Sequence, residues 1–256
     1  MNYNTQTLDA SNFDAYHPDH IALFAAIYGK HLISLGGLAA IDNMFSDINI
    51  QGLKTLDVGF GLGGVAFYLA EKYQMQVAGI EVNPWMVQYA KDNAPTELKH
   101  LLEFNTYDNA GKIPYQPETF DLVYSKGVFN HITDKISLFK QIYTVLKPNG
   151  LLIIADWIFP EASIETTVPL VCETEVTYQH ALNQAGFTDI SFRDDSQLFI
   201  EYTQQLLINL ANHHEFIKDK YGEAVYLTIE QQHEELIEKI KQQQKMAVRI
   251  VARKKF

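Results

Sequence analysis

The chain has 256 residues, 47% hydrophobic and 20% charged, with a formal net charge of −11. That composition excludes a disordered chain and fits one α/β domain with a small cap. The acidic balance leaves no broad basic face for a nucleic-acid backbone, and no apolar run approaches the ~18 residues of a membrane span. A lone cysteine, Cys172, cannot pair within the chain, and the first residues lack the basic and apolar regions of a secretion signal. The expected compartment is the reducing cytoplasm. Charge is uneven: residues 1–53 hold Lys30 against five aspartates, whereas residues 239–256 hold seven basic residues and no acid.

In chain order, helices are expected from His17 to Gly29 and, behind an N-cap Ser34, to Phe45. A βα rhythm follows. Lys54–Val58 reads as a strand and Gly63–Lys72 as a helix. Gln76–Glu81 is a second strand, followed by a helix opened by Pro84. His100–Asn105 and Phe120–Ser125 are strands three and four. A helix over Asp134–Leu146 precedes the strand Leu151–Ala155. After a looser connection come a helix at Glu173–Ala185 and a strand at Phe187–Arg193. Two long helices near Gln197–Lys218 and Thr228–Gln244 lead to a final edge strand, Met246–Arg253. Continuous apolar strands alternating with helices predict a Rossmann-like, doubly wound, seven-stranded α/β sheet. It is mostly parallel, with the last strand antiparallel. The expected organisation is a single domain: a helical lid over 1–50, a ligand-binding core over 51–157, and a cap with the final strands over 158–256.

The first strand runs into Asp57-Val58-Gly59-Phe60-Gly61-Leu62-Gly63-Gly64. Glycines there allow a tight turn and a close backbone approach to a ligand. Glu81 ends the next strand, twenty residues beyond Gly61, where a carboxylate can hold both hydroxyls of a ribose. Gly59-x-Gly61-x-x-Gly64 also satisfies a dinucleotide fingerprint. Asp57 argues against it, because a carboxylate repels a pyrophosphate but accepts hydrogen bonds near a cationic amino-acid group. The ligand so indicated is S-adenosylmethionine, with Asp108 placed for the adenine amino group.

Leu56–Gly64 resembles motif I of the class I S-adenosylmethionine-dependent methyltransferases. Phe120–Ser125 resembles their fourth-strand motif, and Leu146–Ile154 their helix-to-strand segment. Tyr28–Gly37 and Tyr124–Ile132 are similar to segments of the phosphoethanolamine N-methyltransferases, as are the late helices with a basic final strand. That resemblance implies that Ile33 and Ser34 close over the methionine moiety. It implies a catalytic tyrosine at Tyr16 and its partner histidine at His131. The cofactor set it implies is Ile33, Ser34, Asp57, Gly59, Phe60, Gly61, Glu81, Val82, Asp108, Asn109, Ser125 and Lys126, with S-adenosylhomocysteine as product.

The chain also departs from that family. Lys126-Gly127 stands where the family has an arginine–aspartate pair, so the carboxylate that helps hold the substrate amine is missing. Ile158–Thr177 contains no Arg, Lys or Tyr to grip a phosphate, and Lys239 is the best candidate for a phosphate lysine of the last helix. The expected acceptor is therefore a small molecule other than phosphoethanolamine. An amine acceptor is largely protonated at neutral pH and must lose a proton, which a histidine can take. Phe129, Trp157 and Tyr178 are candidate ring faces for a cationic substrate. His17, His20 and the His213-His214 pair have no metal-ligand spacing, so no metal is expected. The rival readings are O- or C-methylation of a small metabolite, and a nucleoside-binding regulatory protein without turnover. Oligomeric state is unknown at this level, and neither nucleic acid nor membrane is an expected partner.

Overall fold

The computed structural model describes residues 16–108, 111–165 and 170–255. A 3-10 turn at Pro18–His20 leads into α1 (Ile21–Tyr28), and α2 (Gly37–Met44) follows. β1 (Lys54–Val58) has four of its five residues buried, which only a sheet covered on both faces allows. Gly59, Gly61 and Gly63 then take φ of +77°, +57° and +85°, a path that side chains would strain, and α3 (Gly64–Tyr73) begins. β2 (Gln76–Glu81) leads to α4 (Pro84–Asn93), capped by the Asn83 side chain accepting from Trp85 N–H. β3 (Leu102–Thr106), β4 (Phe120–Lys126), α5 (Lys135–Val145) and β5 (Leu146–Ile158) complete the first half of the sheet. A two-stranded arm, β6 (Ser163–Glu165) with β7 (Leu170–Cys172), precedes α6 (Glu175–Gln184) and β8 (Thr188–Asp194). Three helices, α7 (Ser196–Asn212), α8 (His214–Tyr221) and α9 (Glu223–Lys241), lead to β9 (Met246–Arg253).

The seven strands are ordered β3-β2-β1-β4-β5-β9-β8. β1 to β5 are parallel, and β9 runs antiparallel to both β5 and β8. Strand side chains alternate between faces. Leu56, Val123, Leu152 and Ile154 enter one apolar cluster with α5 and α6. Leu122, Tyr124, Ile153 and Ala155 enter the other, with α2, α3 and α4. Strand order reverses between β1 and β4, so the crevice at their C-terminal ends is the expected ligand position. A third cluster packs Leu23 and Ile27 of α1 on Leu206, Leu210, Ile217 and Val225 of the C-terminal helices. Phe24, on the same helix, meets Leu62 of the glycine loop and Met86. The N-terminal helix thus bridges cap and crevice.

Several boundaries differ from the sequence reading. The second helix starts at Gly37, not Ser34, because Gly36 and Gly37 both have positive φ. His100 and Leu101 belong to a 3-10 turn, so β3 starts later. β5 starts earlier, at Leu146, and absorbs an irregularity where the register jumps from Phe120↔Leu146 to Leu122↔Leu151. The two late helices are three, broken at His213 and at Gly222 with φ +94°. β9 is an inner strand and β8 forms the edge, because β9 pairs on both sides. Residues 158–256 therefore supply two strands of the core sheet as well as the cap.

Candidate active site

The crevice opens into a cavity of about 230 Å³ at the C-terminal ends of β1 and β4. Its walls include Tyr16, Ile33, Ser34, Asp57, Gly59, Phe60, Gly61, Glu81, Lys126 and His131, each singled out in the sequence. They come from five separate stretches of chain, brought together by the switch in strand order.

Asp57 is buried and its Oδ2 accepts a 2.8 Å hydrogen bond from the Tyr124 hydroxyl. Burial pushes its carboxyl up to about 7, the tyrosine bond lowers it, and the Glu81 charge raises it. Glu81 turns its two oxygens to backbone donors, Gly61 N–H at 3.1 Å and Asn83 N–H at 3.0 Å. Each oxygen keeps a lone pair for a ligand hydroxyl. Tyr16 is 47% exposed over its whole surface. It lines the cavity, and burial first and the Glu81 charge second raise its hydroxyl pKa.

The segment between α1 and α2 forms the lid of the cavity. The His31 carbonyl accepts from Gly64 N–H at 3.1 Å, so it caps the open N-terminus of α3. A Cβ at Gly64 would collide with that carbonyl. The His31 ring meets the Tyr89 hydroxyl at 2.9 Å. Burial, and then the charge of Lys30, lowers the His31 pKa. Lys126 Nζ donates to Ser34 Oγ at 2.6 Å and to the Leu35 carbonyl at 2.8 Å. Burial of that ammonium lowers its pKa to about 8. A Cβ at Gly61 would meet Ile33 Cδ1 at 2.6 Å, and one at Gly59 would meet Val128 Cγ2 at 2.5 Å. The glycines are what let lid and β4 loop close on the turn.

His131 ends a 3-10 turn, Phe129–His131, just beyond β4, and its exposed side chain lines the mouth of the cavity. A Cβ added at Gly127, which lines the same cavity, would meet no described atom within 4 Å.

Other expected site residues lie elsewhere. Phe129 and Tyr178 are fully buried in the apolar core, their rings 5.0 and 6.0 Å from Phe139, and offer no face to a substrate. Trp157 packs on Phe199 at 5.1 Å, and its face is taken by Lys245 Nζ at 4.5 Å. Ser125 is buried and donates to the Val58 carbonyl at 2.8 Å, fixing β4 to β1. Val82 is exposed outside the cavity lining. Asp108 is exposed and does not line the cavity either, and Asn109 lies outside the described residues. Local periodicity carries no signal for His31 or Asn83, which also line the cavity. Tyr124 was visible only as a strand residue, and its bond to Asp57 needs the pairing of β1 with β4.

The donor set fits a cationic adenosyl ligand. Among the described residues two carboxylates, Asp57 and Glu81, line the cavity, and the lysine that lines it, Lys126, is held by Ser34 and Leu35. A pyrophosphate would meet repulsion from Asp57 where a sulfonium or ammonium meets attraction. Among the described residues no three His, Cys, Asp or Glu side chains converge as a metal would need.

A family described as "Methyltransferase domain" matches residues 56–154. A phosphoethanolamine N-methyltransferase of Triticum aestivum is 31% identical over 220 residues, 82% of this chain and 43% of that protein. One from Plasmodium falciparum is 34% identical over 145 residues, 56% of this chain and 53% of that protein. The chain thus spans about half the length of these relatives or less. A solved Haemonchus contortus phosphoethanolamine N-methyltransferase 2, in complex with S-adenosyl-L-methionine, has the same fold. The TM-score is 0.84 at 21% identity, covering 94% of this chain and 58% of that one.

Proposed function

The chain belongs to the class I S-adenosylmethionine-dependent methyltransferases and is related to the phosphoethanolamine N-methyltransferases, and from that premise we propose that it methylates the nitrogen of a small amine. The observation that carries this reading is the shared cavity, where Tyr16 and His131 stand with Asp57 and Glu81 around the glycine turn. When bound, S-adenosylmethionine supplies an electrophilic methyl group on a sulfonium. Glu81 would hold the ribose hydroxyls, and Asp57 the cationic amino-acid end. Ser34 of the lid, held by Lys126 at the end of β4, would close over that end. His131 takes the proton that the acceptor nitrogen must lose, and Tyr16 orients the pair and shields them from water.

Lysine and glycine at positions 126 and 127 put no carboxylate where the related family carries an aspartate for the substrate ammonium. That supports an acceptor other than phosphoethanolamine, held by shape and by proton transfer to His131. We propose that the whole chain acts as one methyltransferase unit. Its single cysteine, buried Cys172, suits the cytoplasm. No described helix is long and apolar enough to cross a membrane.

Methyl transfer from labelled S-adenosylmethionine to ethanolamine, phosphoethanolamine, glycine, histamine and catechol tests the assignment. Product on an amine supports it. Product on the catechol alone replaces it with O-methylation, and no product with intact cofactor binding replaces it with a binding protein.

A further inference from the structure

Behind the cavity lies a buried polar network that the chemistry above does not use. Asn130, 2% exposed, stands between Phe129 and His131 in the turn after β4. Its backbone N–H donates to Asp156 Oδ2 at 3.2 Å. Its amide nitrogen donates to two carbonyls, Trp157 at 3.2 Å and Val171 at 3.1 Å. Its amide oxygen accepts from Trp157 N–H at 3.3 Å. One side chain thus ties the turn to the end of β5 and to β7.

The network continues on the other side of His131. Lys135, 3% exposed, donates to the Ile132 carbonyl at 2.8 Å and pairs with Glu173 at 3.1 Å. Asp156 is buried and also accepts from Trp157 N–H at 2.9 Å. Burial pushes its carboxyl up to about 6, opposed by these bonds and by the Lys135 charge. Burial first and the charge of the same carboxylate second raise the pKa of the buried Tyr178 hydroxyl. His131 therefore has a fixed residue on each side, Asn130 anchored to Asp156 and Ile132 anchored to Lys135, while its own exposed side chain lines the cavity.

Polar groups this deep are costly unless fully bonded, and when bonded they define one geometry. We propose that Asn130 and Asp156 are positioning residues that hold His131 in place for proton transfer. The inference rests on His131 acting as the base. Through Val171 the same contact also ties the arm β6–β7 to the catalytic turn.

The test uses the full chain and the panel amine that gives most product. Asn130→Ala should lower kcat about 10–100-fold, since a shift of about 1 Å in a reacting group can cost 10²-fold. The Kd for S-adenosylhomocysteine should stay within about twofold, because Asn130 does not line the cavity. Added to His131→Ala, it should cause no further loss, since both act on one step. Asp156→Asn keeps shape and one acceptor, and should lose less than Asn130→Ala, about 3–10-fold. It remains informative if the alanine variant fails to fold. An unchanged kcat in both variants, or a loss that adds to that of His131→Ala, overturns the proposal. Should His131→Ala itself keep full turnover, the base assignment fails on its own. Positioning is then read from the labelled His131 imidazole resonance with S-adenosylhomocysteine bound. Asn130→Ala should shift or broaden it, and an unmoved resonance rejects the positioning role.

Discussion

Asp57 holds a proton near neutral pH because its carboxyl is buried beside Glu81, and burial outweighs the bond from Tyr124. A cationic ligand placed against it favours the ionised form, so cofactor binding should release a proton. At pH 6.5, calorimetry of S-adenosylmethionine binding in buffers of different ionisation enthalpy should show proton release, and Asp57→Asn should abolish it. Buffer-independent heats would show that the cation sits away from Asp57. His131 and Tyr16 belong to one proton-transfer step in this account. His131→Ala should lower turnover about 10²–10⁴-fold with cofactor affinity little changed. Tyr16→Phe should add almost nothing to it, as residues acting as a unit do not sum. Additive losses in steady-state kinetics would separate the two roles. These residues were legible in the sequence because each sits at a strand end or a motif position. Phe129, Trp157 and Tyr178 misled because an aromatic ring looks alike in a core and in a pocket, and only packing against Phe139 or Phe199 decides.

The lid is the element whose placement the sequence least determined. Its helix was expected from Ser34, but Gly36 and Gly37 delay the helix and leave residues 29–36 as a strap over the glycine turn. The strap is held by its His31 carbonyl on Gly64 N–H and by Lys126 on Ser34 and Leu35. Its far end is fixed at the back of the sheet. The last carbonyls of α2 accept from two arginines, Arg193 at Asn43 and Arg249 at Met44, as suits a helix C-terminus. Closure should therefore be local to residues 29–36. Gly64→Ala removes the room for the His31 carbonyl. Amide exchange over residues 29–36 should slow when S-adenosylhomocysteine binds to wild type, and should slow much less in Gly64→Ala. Equal protection in both proteins would show that the strap does not dock there. The sequence showed strands and helices well because their apolar periodicity is local. It failed on breaks such as His213 and Gly222, and on β9's inner place, because pairing partners are set by the whole sheet.

For the molecule as a whole, two buried acids set a pH signature. Asp57 and Asp156 have folded values of about 7 and about 6, above the ~3.9 of an unfolded aspartate. The folded state thus binds more protons than the unfolded chain between about pH 4 and 7. Their contribution is fully present below pH ~4 and is lost as pH rises through 6 and 7. Urea unfolding of the ligand-free protein should show lower stability at pH 8 than at pH 5.5, by on the order of 1–3 kcal/mol from these groups. Asp57→Asn should narrow the gap, and a gap that survives unchanged would assign it to other groups. Such a site is less stable empty than filled, as expected where binding and not folding has shaped it. The most direct measurement is transfer of labelled methyl from S-adenosylmethionine to the amine panel by wild type, Glu81→Ala and His131→Ala, alongside cofactor affinity. The account predicts labelled N-methyl product with wild type. It predicts a roughly 10–150-fold weaker cofactor Kd with Glu81→Ala, and a lost rate at unchanged Kd with His131→Ala. Label on no amine, or a His131→Ala protein as fast as wild type, would contradict it.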